Sequence, residues 1–134
     1  MIELVVVGAH LTGLALNHEL VGHGGTYARA LGTRPCYRLF ALAGGPPRRP
    51  GLLRVGEREG ASITAEVWSL PDDGFGRFVA GIPAPLCIGT VLLADGTAPK
   101  GFLVEPEGLN GAEDITRYGG WRAYLAAIAA PTLA

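Results

Sequence analysis

The residues best suited to chemistry cluster near the N-terminus, in Val5-Val6-Val7-Gly8-Ala9-His10-Leu11-Thr12-Gly13. An apolar, β-branched run, the composition of a buried strand, breaks at Gly8 into a short turn closed by Gly13. A turn that leaves a buried strand between two glycines aims several backbone N–H groups at one point. Such a nest binds carboxylates and phosphates. His10 sits inside it, carrying the one side chain whose ordinary pKa lies near neutrality. Together they suit proton transfer to or from a bound anion. The plainer alternative is a tight turn with a satisfied histidine. Gly8 and Gly13 also have P-loop spacing, but Leu14 and Ala15 stand where that motif needs Lys and Ser or Thr, so nucleotide hydrolysis is rejected.

The other candidate groups lie further along. Gly44-Gly45-Pro46-Pro47-Arg48-Arg49-Pro50-Gly51 is a proline-stiffened loop with two guanidinium groups. It presents one of them rigidly to a carboxylate, or else is a solvated turn. Asn17 and His18 follow the glycine loop and serve either as a polar helix face or as a pocket contact. His18-Glu19 and His23 resemble a zinc motif with the second histidine one residue late. Five helical residues set the rings roughly 140° apart around the axis, so no metal site is expected and His23 reads as a surface residue. Glu66, mid-strand, points either inward or to water. Tyr37, Trp68, Phe102 and Tyr124 have core spacing. Cys36 and Cys87 lie in apolar contexts and are expected to be buried free thiols of a reducing compartment. No Ser/His/Asp set, nucleophilic cysteine or cofactor motif is evident.

These groups must be positioned by a single domain, 1–134, with 11 basic and 12 acidic residues, a balance that advertises neither nucleic acid nor an anionic membrane. The N-terminal apolar run lacks a basic flank and is interrupted by His10 and Thr12, so a cytoplasmic protein is expected. The patterning predicts a central strand at Ile2–Val7, a helix over Leu14–Leu20, and a strand at Cys36–Ala43. A hairpin should join Leu52–Val55 to Ile63–Leu70. Asp72 or Asp73 should cap a helical turn carrying Phe75, Phe78 and Val79 inward, ended by Pro83 and Pro85. Strands at Leu86–Ala94 and Gly101–Val104 should be joined through Asp95-Gly96. A helix within Glu113–Ile128 should dock Tyr124, Leu125 and Ile128 on the sheet. The order argues for an α+β domain whose sheet curls into a small barrel with the glycine loop at one open end.

The glycine loop with Leu16-Asn17-His18 resembles the C-terminal domain of allophanate hydrolase, as do Tyr37-Arg38-Leu39-Phe40-Ala41-Leu42, Arg49-Pro50-Gly51-Leu52 and Glu66-Val67-Trp68. So do Ile82-Pro83-Ala84-Pro85-Leu86, Ile88-Gly89-Thr90-Val91 and Gly119-Gly120-Trp121-Arg122, so the likeness covers almost the whole chain in order. It implies a γ-glutamyl cyclotransferase-like fold, a small mixed β-barrel with a few flanking short helices. In the cyclotransferases the first strand ends in a Tyr-Gly-(Ser/Thr)-Leu loop whose backbone binds the substrate carboxylate, and Gly8-Ala9-His10-Leu11 stands in that place. Their acid/base glutamate aligns near Phe78 to Gly81, where this sequence has no carboxylate.

The resemblance implies decarboxylation of N-carboxycarbamate, the product of amidase action on allophanate. His10 would be the catalytic acid. Gly8, Ala9, Leu11, Thr12, Gly13, Asn17, Tyr37, Arg49, Pro50 and Gly51 would contact a small carboxylate substrate, with Arg49 the preferred guanidinium and no metal or cofactor. The amidase residues are absent here, so an amidase domain or subunit is the expected partner. Two alternatives stand: an assembly module that joins subunits as a homodimer, or a cyclotransferase-like enzyme acting on γ-glutamyl compounds.

Overall fold

The structure is a computed structural model and describes residues 1–45 and 48–129. The apolar run at the N-terminus forms strand β1 (Ile2–Val6), with Leu4, Val5 and Val6 almost wholly buried. It runs between two strands, β5 (Thr64–Leu70) antiparallel and β7 (Lys100–Val104) parallel. The edges of this sheet are β2 (Thr26–Gly32), paired to β5, and β6 (Leu86–Thr90), paired to β7. A second sheet has the order β4 (Pro50–Arg54), β3 (Tyr37–Ala41), β8 (Glu113–Asp114).

The expected α+β class holds, but the barrel does not close. Five strands form one sheet and three form another, each with its own edges. Close side-chain packing joins them where Gly51 of β4 lies against Val104 of β7 and Leu42, in contacts that leave no room for a Cβ. The hairpin expected between Leu52–Val55 and Ile63–Leu70 is replaced by two pairings. β4 pairs with β3, setting Leu39 opposite Leu52, and β5 pairs with β1 and β2. The polar stretch between them carries the chain from one sheet to the other, held where the Ala61 and Tyr37 backbones bridge. β2 was not anticipated, because an edge strand with mostly exposed residues shows little apolar periodicity.

The first helix starts later, and the second runs longer, than the patterning suggests. Residues 9–16 run through successive turns, so α1 begins only at Asn17 (Asn17–Gly22). α2 (Asp72–Ala80) starts after Pro71, placing Asp72 and Asp73 in its first turn, where the helix dipole favours them, rather than at the cap. Its Phe78 is buried. The hairpin at Asp95-Gly96 forms as expected, with Gly96 at φ 86°. The helix expected within Glu113–Ile128 is α3 (Trp121–Ala129); the residues before it form β8 and a 3-10 turn at Thr116–Tyr118, and Gly119 turns the chain between them at φ 77°. Trp121 and Tyr124 of α3 are buried, whereas Ile128 is exposed. Cys36 is buried and Cys87 half-buried, and both are free thiols. Among the described residues no helix is long and apolar enough to cross a membrane.

Candidate functional site

The chain leaving β1 turns immediately: the Leu11 amide bonds the Gly8 carbonyl at 2.9 Å and the Leu16 amide bonds the Ala9 carbonyl at 2.8 Å. Asn17 closes the turn by donating its side-chain N–H to the His10 carbonyl at 2.9 Å. The N–H groups of Ala9 and His10 have no acceptor among the described residues.

His10 is 8% exposed, its ring stacked on Phe102 of β7 at a centroid distance of 5.1 Å and in T-shaped contact with Phe78 of α2 at 5.2 Å. Its Nε2 lies 2.7 Å from Oε1 of Glu19, in the first turn of α1. Burial pulls its pKa below the usual imidazole value; the hydrogen bond and charge of Glu19 oppose that shift, and the charges of Arg49 and His18 add to it. Nδ1 has no partner among the described residues, and no fully occluded side-chain nitrogen or oxygen among them goes unpaired, so Nδ1 retains access. A carboxylate on one ring nitrogen and an accessible second nitrogen is the arrangement of an oriented acid/base group.

Arg49 meets this histidine from the second sheet. Its neighbour Pro50 opens β4 and lies directly over Gly8, where any Cβ would overlap the prolyl ring. The seated ring holds Arg49 at the cavity wall. The cavity is formed by Val6 to His10, Leu16, Arg49, Pro50, Leu86 and Phe102. The Arg49 guanidinium has no hydrogen-bond or ion-pair partner among the described residues, whereas Arg48 points elsewhere and donates to the Tyr124 hydroxyl at 2.7 Å. Arg49 also borders an open cleft of about 520 Å³ lined by Leu42, Pro83, Leu86 and Asn110 among others.

The opposite side of the loop is already filled. Glu66 of β5 is buried and receives the Thr12 amide and hydroxyl, the Trp68 indole N–H and the Arg122 guanidinium. Burial alone would push its pKa up, but these donors outweigh it and hold it below the usual carboxylate value. Glu66 therefore faces inward, and the Thr12 part of the nest holds an internal carboxylate.

The structure thus brings together His10, Gly8, Ala9, Arg49 and Pro50, while Asn17 supports them through the His10 carbonyl. It does not bring the other expected contacts there. Leu11, 2% exposed, packs toward the start of α3, and Thr12 is spent on Glu66. Gly13, at φ 79°, is exposed and does not line the cavity. Tyr37 is wholly buried and its hydroxyl accepts the Leu92 amide at 2.9 Å; Gly51 is a packing position between Leu42 and Val104. Glu19, Phe78 and Phe102 are site residues that sequence reasoning missed. His23 is half-buried, its Nδ1 2.7 Å from the Glu19 carbonyl oxygen, and is not a surface residue. Among the described residues no three His, Cys, Asp or Glu side chains converge as metal ligands would.

Comparison with known proteins agrees with this architecture. The urea amidolyase of Saccharomyces cerevisiae is 46% identical over 127 residues, covering 92% of this chain but 7% of that protein. The chain thus spans a small fraction of the curated relatives it matches. The crystallised allophanate hydrolase of Kluyveromyces lactis superposes with a TM-score of 0.91 at 42% identity, over 95% of this chain and 21% of that one. A protein specific to uropathogenic E. coli superposes with a TM-score of 0.86 at 36% identity and is covered over 95% of its own length, against 93% of this chain. The sequence profile of the allophanate hydrolase C-terminal domain matches residues 2–126, and the chain belongs to that family.

Proposed function

We propose that this domain decarboxylates N-carboxycarbamate, released when an amidase domain or subunit takes ammonia from allophanate. The observation that carries the proposal is the Arg49 guanidinium, unpartnered among the described residues, in the wall of the same cavity as His10, whose Nδ1 is accessible. Arg49, with the Ala9 and His10 amides, suits a carboxylate. The apolar walls supplied by Val7, Leu16, Leu86 and Phe102 favour the loss of charge that accompanies CO2 formation. In the step, the bond between nitrogen and the leaving carboxylate carbon breaks and its electron pair stays on nitrogen. Nitrogen takes a proton from His10, leaving CO2 and carbamate. A bound dianion favours the imidazolium and so opposes the burial that lowers the His10 pKa.

The test is CO2 release from N-carboxycarbamate generated in situ by an amidase, read against the uncatalysed background. Wild type should accelerate release and His10→Ala should lose about 10²-fold or more of that acceleration with the fold intact. Folded wild type that gives no acceleration overturns the proposal.

A further inference from the structure

A second cavity also borders His10. It shares His10, Arg49 and Phe102 with the apolar cavity but adds Glu19, His23 and Arg77. The two chambers differ sharply in charge. The apolar one has no ionisable side chain besides the shared His10 and Arg49. The other holds two guanidinium groups against one carboxylate, and that carboxylate, Glu19, is engaged by His10 Nε2. His23 there leaves its Nε2 without a partner among the described residues. Arg77 makes one ion pair, with Asp73 at 3.3 Å on the exposed face of α2. Such an exposed pair is weak and readily exchanged for a ligand.

Resting on the decarboxylase reading, we propose that the Arg77 side of His10 is a second carboxylate subsite, which selects substrates with two carboxylates on one bridging atom over monocarboxylates. The chemistry makes the two subsites unequal. The carboxylate that leaves sheds its charge, so it belongs against Val7, Leu16 and Leu86. The carboxylate that stays is charged in substrate and in product and belongs with Arg77. The bridging nitrogen then lies beside His10, between the chambers. A residue that grips the unchanging end binds ground and transition states alike, so Arg77 sets affinity and selectivity.

The test uses malonate, which carries two carboxylates on one carbon, and acetate as the monocarboxylate. Both are titrated into wild type, Arg77→Gln and Arg49→Gln and followed by amide NMR shifts of Ala9 and His10. Wild type should bind malonate about tenfold tighter than acetate, Arg77→Gln should lose that preference while still binding acetate, and Arg49→Gln should weaken both. A malonate preference that persists in Arg77→Gln, with Arg49→Gln binding neither anion, overturns the second subsite while leaving the carboxylate site at Arg49 standing. Wild type that binds neither anion overturns both.

Discussion

Thr12 donates its backbone N–H and its hydroxyl to the same oxygen of Glu66, each over 2.9 Å, and the Trp68 indole N–H reaches that oxygen at 3.1 Å. The loop amide that looks free for a foreign carboxylate is taken by one of the protein's own. Arg122 of α3 adds a bond to the Thr12 carbonyl and another to Glu66 Oε2. The loop is thereby clamped through Thr12, and the amides of Ala9 and His10 are among those without an acceptor among the described residues. An internal anion thus fixes the geometry of the site proposed for an external one.

Replacing that internal anion should loosen the loop. Glu66→Ala strips acceptors from Thr12 and Trp68 in a buried setting and should cost on the order of 3 kcal/mol in urea unfolding at pH 7. The pH dependence has a definite sign. Because the folded pKa lies below the unfolded one, the contribution of Glu66 is present above about pH 4.3 and is lost as pH falls through the folded value. The variant should therefore lose less stability on acidification than wild type does.

Glu19 should act through His10. Its hydrogen bond and charge are the two influences that raise the His10 pKa against burial. Glu19→Gln should shift the descending, alkaline limb of the rate profile to lower pH and reduce CO2 release at neutrality about tenfold or more. The same depressed pKa has a stability consequence. Between the folded value and about pH 6.5 the unfolded chain binds more protons at His10, so stability rises with pH across that window. In Glu19→Gln the window should extend further to acid, and stability measured over the pH series checks it.

Much of this site is legible in the order of the residues, and the gaps have physical causes. The strand, the glycine break, His10 and the Arg49-Pro50 pair are visible because each is a local departure from a regular pattern. Glu19 is not, because its reach to His10 depends on the path through residues 9–16, a run of turns without periodicity. Phe78 and Phe102 read as core, and they are core, yet both rings also pack against His10. Glu66 was ambiguous because alternation places a side chain on one face without saying what covers it. Two β-rich segments in succession, Leu52–Val55 and Ile63–Leu70, suggest a hairpin on local grounds. Long-range pairing with β3 and β1 overrides that suggestion.

Tyr37 tests the boundary of the site from outside. Its hydroxyl accepts the Leu92 amide at 2.9 Å in a wholly buried position away from His10. Tyr37→Phe should cost about 1–2 kcal/mol of stability by leaving that amide unsatisfied. Malonate affinity and the rate of CO2 release should stay at the wild-type level. A lost rate with stability intact would instead return Tyr37 to the substrate contacts.

Gly8 and Pro50 should be strongly coupled, because the prolyl ring occupies the space that a Cβ on residue 8 needs. Gly8→Ala should push the ring and Arg49 away from the cavity, costing about 1–3 kcal/mol and weakening malonate binding. Pro50→Ala alone opens space without a clash and should cost less. In the double variant the clash is gone, so its stability should exceed the sum of the single effects by about 1 kcal/mol or more in a double-mutant cycle. Malonate affinity should not recover with it, because the ring that holds Arg49 beside His10 is missing. Recovery of both together would mean that Arg49 is held by something other than the Gly8–Pro50 contact.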